Sequence, residues 1–302
     1  MLPGRLSYAP GNLCRAKELP ELVDLIREAG FDTIDFWLFR YCETANAPMF
    51  EDNWRDFVTE ARDIIDRAGV TVGQVHAWWD HPWQIAEDGS FDLPHEIFCR
   101  NIEACRMLGS DKLVFHPIQR WFRYTDAETR QAALDANAAW FAALLPAAEK
   151  FGVELLIENV FDYKHVERPG DLPFPCGSAE DILYIINKIG HPLMKTCLDT
   201  GHANISGQDV PRMIRLYGDK LAALHLQDNF GKITPVYEDM HMFPTHGRLP
   251  WDAIFAALRD IGYKGTLNLE VSAELKRMPD PIRRIQLRAG YDILKTLNEL
   301  YG

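Results

Sequence analysis

Six successive short apolar runs end on a side chain able to bind a metal or move a proton: His76, His116, Glu158, Asp199, His225 and Glu270. The densest stretch is Lys195–Gly207, where a run closes at Asp199 and His202 follows three residues later. A buried strand-end carboxylate needs something cationic against it. One such Asp or His is explained by capping or loop hydrogen bonding; six in succession are not. Gathered in one place, they would repel or desolvate one another unless a divalent cation neutralised them. Mixed His, Asp and Glu donors suit zinc, manganese, cobalt or magnesium, and the lack of thiolate donors argues against a structural zinc.

Convergence requires elements that share an end. Strands are expected over Arg5–Ala9, Thr33–Leu38, Val70–His76, Lys112–His116, Val153–Glu158, Met194–Asp199, Leu221–Leu226 and Gly265–Glu270. Between them lie amphipathic segments over Ala16–Ala29, Trp54–Ala68 and Pro94–Leu108. A fourth, opened by a Thr125/Glu128 capping box, runs to Phe151. Further helices follow from Ser178 to Gly190, over Val210–Tyr217, from Pro250-Trp251 to Ile261, and from an Asp280 cap with Pro281 at N1 to Tyr301. Eight strand–helix units without a linker predict an α/β fold, a single (β/α)8 barrel spanning 1–302, with strand ends on one face. A doubly wound open sheet competes on alternation alone. No Gly-x-Gly-x-x-Gly follows the first strand, which weakens its dinucleotide version.

Composition narrows the setting. The chain has 302 residues, 47% hydrophobic, and a net charge of -12, which disfavours nonspecific polyanion binding. No apolar run approaches the roughly 20 residues of a membrane span. Met1-Leu-Pro-Gly-Arg5 lacks a signal-peptide core, so a cytoplasmic location is expected. The six cysteines form no Cys-x-x-Cys pair and are expected to be reduced and packed. Two long connections draw notice: Gln227–Leu249, holding Asp239-Met-His241 and His246-Gly247, and Asn159–Gly177, with His165 and Arg168. Aromatics crowd the connections after the third and fourth strands: Trp78, Trp79 and Trp83, then Trp121, Phe122 and Tyr124, with Arg120 and Arg123. Flat walls beside donors suit a sugar ring. The same aromatics would also serve to pack loops or meet another subunit.

In order along the chain stand Leu156-Ile-Glu-Asn159, Cys197-Leu-Asp-Thr-Gly-His-Ala203, Leu224-His-Leu-Gln-Asp228, Asp239-Met-His241 and Thr266-Leu-Asn-Leu-Glu270. Together they resemble the xylose-isomerase-like barrels, which include sugar phosphate isomerases/epimerases, inosose-handling enzymes and type IV apurinic-site endonucleases. The resemblance covers nearly the whole chain and implies one divalent ion held by Glu158, Asp199, His225 and Glu270, with His202 beside it near substrate. His76, His116, His241, Trp78, Trp121 and Arg120 are the other expected substrate contacts. The endonuclease branch builds a three-metal cluster whose added ligands would fall on His76, His116, His202, Asp239 and His241. Against that branch, Val160-Phe-Asp-Tyr replaces its glycine-rich segment, and Ile118 follows His116-Pro117 where it has Gly. Gly231 replaces the Arg that the ketose 3-epimerases carry six residues after the strand-seven His.

The resulting expectation is a divalent-metal-dependent isomerase or epimerase of a sugar, keto-sugar or polyol, working through a metal-stabilised enediolate. Glu158 and Glu270 would exchange the proton. A dehydratase on a related keto-sugar or keto-inositol uses the same abstraction and remains an alternative. An apurinic-site phosphodiesterase is the alternative from another class. The expected partner is a small carbohydrate, with neither nucleic acid nor membrane, and a homo-oligomer is left open.

Overall fold

The computed structural model describes residues 1–15, 17–42, 47–78, 95–118, 124–162, 170–231 and 239–302. Eight strands form one sheet: β1 Leu6–Tyr8, β2 Thr33–Trp37, β3 Thr71–His76, β4 Lys112–Phe115, β5 Glu154–Glu158, β6 Met194–Asp199, β7 Leu221–His225 and β8 Leu267–Leu269. Each strand from β1 to β6 pairs in parallel with the next, and β1 also pairs with β8. A parallel bridge between Leu226 and Leu269 closes the remaining seam. There the Leu226 N–H donates to the Asn268 carbonyl at 2.8 Å and the Glu270 N–H to the Leu226 carbonyl at 3.0 Å. The chain is thus a single (β/α)8 barrel, and closure rules out the open doubly wound sheet.

The helices are α1 Leu19–Ala29, α2 Trp54–Arg67, α3 His95–Met107, α4 Ala127–Phe151, α5 Ala179–Ile189, α6 Thr200–Ile205, α7 Val210–Tyr217, α8 Trp251–Asp260, α9 Ala273–Arg277 and α10 Asp280–Tyr301. Among these described elements none is long and apolar enough to cross a membrane, and no disulfide joins the cysteines. Two starts differ from expectation. Helix α4 is capped by Asp126, whose carboxylate accepts from the Thr129 N–H and hydroxyl, rather than by Thr125. A charged acceptor serving two donors outcompetes one hydroxyl. Helix α10 places Pro279 at the cap and Asp280 already inside.

Period-two alternation sorts the strands' side chains. Leu113, Phe115, Leu155, Ile157, Leu198, Leu224, Leu267 and Leu269 join the main core beneath the helices. Val114, Leu156, Cys197 and Ala223 form a separate small cluster inside the barrel. Two residues further along each of these four strand paths stand His116, Glu158, Asp199 and His225, so the same parity carries them inward at the C-terminal end. On β2, β3 and β8 the buried interior positions are polar instead: Asp35, Gln74 and Asn268. The barrel's inside is therefore apolar on one flank and hydrogen-bonded on the other.

One device, used twice, holds the chain as it leaves β3 and β4. Asn101 on α3 accepts from the Trp78 N–H at 2.9 Å, and Asn137 on α4 accepts from the Ile118 N–H at 2.6 Å. Each contact falls two residues beyond a site histidine, His76 or His116. Both amides also donate to a carbonyl four residues back on their own helix, and both are fully buried. Asn137→Ala should lower stability by about 1–3 kcal/mol, because it strands a buried backbone donor. The readout is the denaturant midpoint at constant m-value; a change under about 0.5 kcal/mol, ordinary for a surface substitution, would show that this pin carries no weight.

Candidate metal centre

The motif Asp199-Thr-Gly-His202 organises the mouth of the barrel, and each residue has a separate task. Asp199 ends β6 and caps α6, its Oδ1 accepting from the His202 N–H at 2.6 Å. Thr200 ties β6 to the strand beyond, donating to the Gln227 carbonyl at 2.7 Å and accepting from the Gln227 N–H at 3.0 Å. Gly201 leaves room for the Gln227 side chain, which any Cβ there would overlap. The Gln227 amide uses that room to donate to Asp239 at 2.9 Å and to both Asp199 oxygens at 3.3 Å. Asn159 joins β5 to β6 by donating to the Asp199 carbonyl and accepting from its N–H.

Glu158 lies at the centre. Its Oε1 is 3.1 Å from His225 Nδ1 and 3.4 Å from His202 Nδ1, and its Oε2 is 3.3 Å from both His76 Nε2 and His116 Nε2. One donor atom each from Glu158, Asp199, His225 and Glu270 falls within 4.8 Å of the others, and the same holds for His76, Glu158 and His225. A second set, His202, Asp239 and His241, meets the same criterion. Asp239 Oδ2 stands 2.6 Å from His241 Nε2 and 3.4 Å from His202 Nε2. His241 holds φ at 43°, a left-handed backbone that costs a non-glycine residue energy and is found at functional positions.

The segment carrying Asp239 and His241 is fastened by Asp228, which sequence reasoning left without a role. Its carboxylate accepts from the N–H groups of Asn229, Thr245, Arg248 and Leu249 and from the Trp251 indole. Asp35, Gln74 and Asn268, beneath the centre, were also missed. The available signal was a lone Asp interrupting the apolar run Thr33-Ile-Asp-Phe-Trp37. Arg120 and Trp121, with Trp79, Trp83, His165 and Arg168, lie outside the described residues. Trp78 is 8% exposed and packs edge-on against Phe50 and in parallel with Phe98, among the core aromatics.

The donor set fits a divalent cation. Glu158 Oε2 and Glu270 Oε2 are buried and accept no hydrogen bond, although imidazole nitrogens stand 3.3 Å from each. Buried carboxylate oxygens left without a donor are costly unless a cation serves them. Protonation in the metal-free protein reflects the same crowding. Burial works to raise Glu158, but His225 and His116 outweigh it and hold the carboxyl well below its ordinary range. Burial pushes Glu270 up to about 8, which His225 and His241 only partly offset. Burial opposes a charged His241, yet Asp239 and Glu270 hold it at about 10. His225 and His202 are likewise raised by neighbouring acidic groups against burial.

A parallel barrel carrying carboxylates and imidazoles at its C-terminal end defines a class of barrel enzymes whose centre suits a divalent ion. The comparisons narrow it further. The chain belongs to the xylose isomerase-like TIM barrel family, whose sequence profile matches residues 23–293. The uncharacterised protein y4fM of Sinorhizobium fredii (strain NBRC 101917 / NGR234) is 33% identical over 278 residues, 82% of this chain and 79% of that one. D-psicose 3-epimerase of Enterocloster bolteae is 36% identical over 93 residues, 31% of this chain and 28% of its own length. Among solved structures, the IolI protein with a bound zinc atom superposes with a TM-score of 0.73 at 17% identity, covering 99% of both chains.

The raised groups fix the sign of a pH effect. Glu270 and His241 bind their protons more tightly folded than unfolded, so each adds stability that is full below its unfolded pKa and lost as pH rises toward its folded one. For Glu270 that window is 4.5 to about 8, and for His241 6.5 to about 10. Between pH 6.5 and 8 the two act together. Calorimetry of chelator-treated protein should show Tm falling across this interval, with a smaller fall once Zn2+ or Mn2+ is added. A chelated Tm that is flat or rising there would contradict the assignment.

Proposed function

We propose that the protein is a divalent-metal-dependent isomerase or epimerase of a sugar, keto-sugar or polyol. The observation that carries this reading is the pair Glu158 and Glu270. Both are buried at one end of the barrel, both lie against His225, and each keeps one oxygen without a hydrogen-bond donor. Relatives of the chain include sugar epimerases and an inosose isomerase, which supports the class of reaction. Glu158, Asp199, His225 and Glu270 would hold the cation. When bound, such an ion polarises a carbonyl and its neighbouring hydroxyl, acidifying the C–H between them.

The proton transfers fall to the chain's own carboxylates. One of the two glutamates removes the proton from the carbon beside the carbonyl and the other returns one. Their surroundings push them in opposite protonation directions, a pattern seen where one carboxyl acts as base and its partner as acid. His202 lies 3.4 Å from Glu158 and His241 4.0 Å from Glu270, and each would present its Nε2 to a substrate hydroxyl. A dehydratase would share the abstraction and then expel a hydroxyl, so product analysis separates the two.

A second reading, phosphodiester hydrolysis at an abasic site, is favoured by one specific observation. His76 and His116 flank Glu158 Oε2, while His202, Asp239 and His241 form a further donor set. Elemental analysis of the purified protein discriminates: one ion per chain accords with the sugar enzyme and three with the nuclease.

The sugar reading is tested with ketoses, keto-inositols and oxidised glycosides in deuterated solvent, at saturating metal and with occupancy measured for each variant. Wild-type protein should incorporate deuterium at the carbon-bound position. Glu158→Gln or Glu270→Gln, whichever removes the abstracting group, should lose at least about 100-fold of that exchange while still binding substrate, the usual scale of general acid–base catalysis. Full exchange in both metal-loaded variants would exclude the pair.

A further inference from the structure

The ring contacts of the mouth histidines divide them into two kinds. His76 Nδ1 lies 2.9 Å from the Ala77 carbonyl, His202 Nδ1 3.0 Å from the Asn159 carbonyl, and His241 Nδ1 3.2 Å from the Glu270 carbonyl. A carbonyl only accepts, so in each ring Nδ1 bears the hydrogen and a neutral imidazole presents Nε2 to the site. His225 is turned the other way. Its Nδ1 faces Glu158 and Glu270, while Nε2 points down the barrel to Asp35 Oδ2 at 3.0 Å.

Asp35 is built into the barrel floor. It is fully buried, and the oxygen that meets His225 also accepts from the Gln74 amide at 2.9 Å and the Asn268 amide at 3.2 Å. Gln74 is fixed in turn, since its oxygen accepts from the Thr266 hydroxyl at 3.2 Å. A carboxylate oxygen already accepting from two amides is held in its ionised, accepting form, and so takes the hydrogen of His225 rather than giving one. The remaining oxygen of Asp35 is buried without a donor, so no other partner competes for this carboxylate's charge among the described residues. Burying a carboxylate on neutral amides is costly, and the arrangement makes sense only with positive charge above it, on the imidazole or beyond it.

We propose that Asp35 is a positioning residue for the metal centre: it fixes the hydrogen of His225 on Nε2, so that the Nδ1 lone pair faces the space between Glu158 and Glu270, and it strengthens that nitrogen as a donor. The inference rests on the metal-dependent reading above and extends it to a residue that touches neither cation nor substrate. Partners behind a ligating imidazole set its tautomer and basicity, and removing them typically weakens metal binding about 10–100-fold.

The test uses Zn2+ and the intact chain, with binding measured by competition against a chromophoric chelator. Asp35→Asn keeps the shape and the acceptor toward His225 but removes the charge; it should weaken Zn2+ binding about 10-fold. Asp35→Ala removes both and should weaken it about 100-fold. Melting of the chelated variants reports whether each still folds, and the Asn variant serves if Ala does not. Nitrogen NMR of Zn2+-loaded, histidine-labelled wild type supplies a readout that a purely structural role would not move. His225 should show a metal-bound Nδ1 and a strongly hydrogen-bonded Nε2–H whose proton resonance moves upfield in Asp35→Asn. Unchanged affinity in both variants, or a His225 with its hydrogen on Nδ1, would overturn the inference and leave the metal-dependent reading standing. Wild-type protein that takes up no Zn2+, Mn2+ or Co2+ would overturn both.

Discussion

The structure depends on keeping several carboxylates out of water in one small volume. Asp35, Glu158, Asp199 and Glu270 are each at most 4% exposed. Carboxylates so placed repel one another and lose their hydration, a penalty no apolar packing removes. Imidazoles from β3, β7 and the segments beyond β4 and β6 are the only cationic groups that face Glu158 among its described contacts. The geometry of the mouth follows from that need for counter-charge. Strand parity, the Asn101 and Asn137 pins, the Gln227 amide and the Asp228 staple all hold a charge, or the chain beside it, at a set distance.

The barrel divides its labour along its axis. Leu155, Ile157, Leu198 and Leu224 face the helices, and that outer packing carries the fold. Inside, Val114, Leu156, Cys197 and Ala223 fill one flank with small apolar volume. The opposite flank carries Asp35, Gln74 and Asn268, whose hydrogen bonds rise from floor to mouth through His225. Stability and chemistry thus draw on different faces of the same strands, as expected of this architecture.

Much of this was legible in the sequence, and for a definable reason. A strand end on the C-terminal face announces itself where an apolar run stops on His, Asp or Glu, and β6 was bounded residue for residue. The Asp-Thr-Gly-His motif pointed to the site, but the tasks of Thr200 and Gly201 belong to Gln227, a residue 26 or more positions away that periodicity cannot pair. Asp35 was hidden because a polar residue in mid-strand faces either inward or outward, and one strand read alone does not say which. The α4 cap was misjudged by one residue, since Thr125 and Asp126 are both good caps and the choice between them turns on which hydroxyl or carboxylate meets two donors. Local pattern locates elements; what a side chain touches across the barrel is a property of closure.

The separation between strand ends and connections has an evolutionary consequence. Glu158, Asp199 and His225 are fixed by their places within strands, where a shift of one residue would turn each to the other side of the wall. The connections after β3, β4 and β5 are free of that parity and can change length without moving these donors. Inheritance can therefore hold the reaction constant while rewriting what is admitted to it. Chimeras that exchange the chain after β3, β4 or β5 between related barrels, and leave the strands untouched, amount to replacing the keyhole on an unchanged lock.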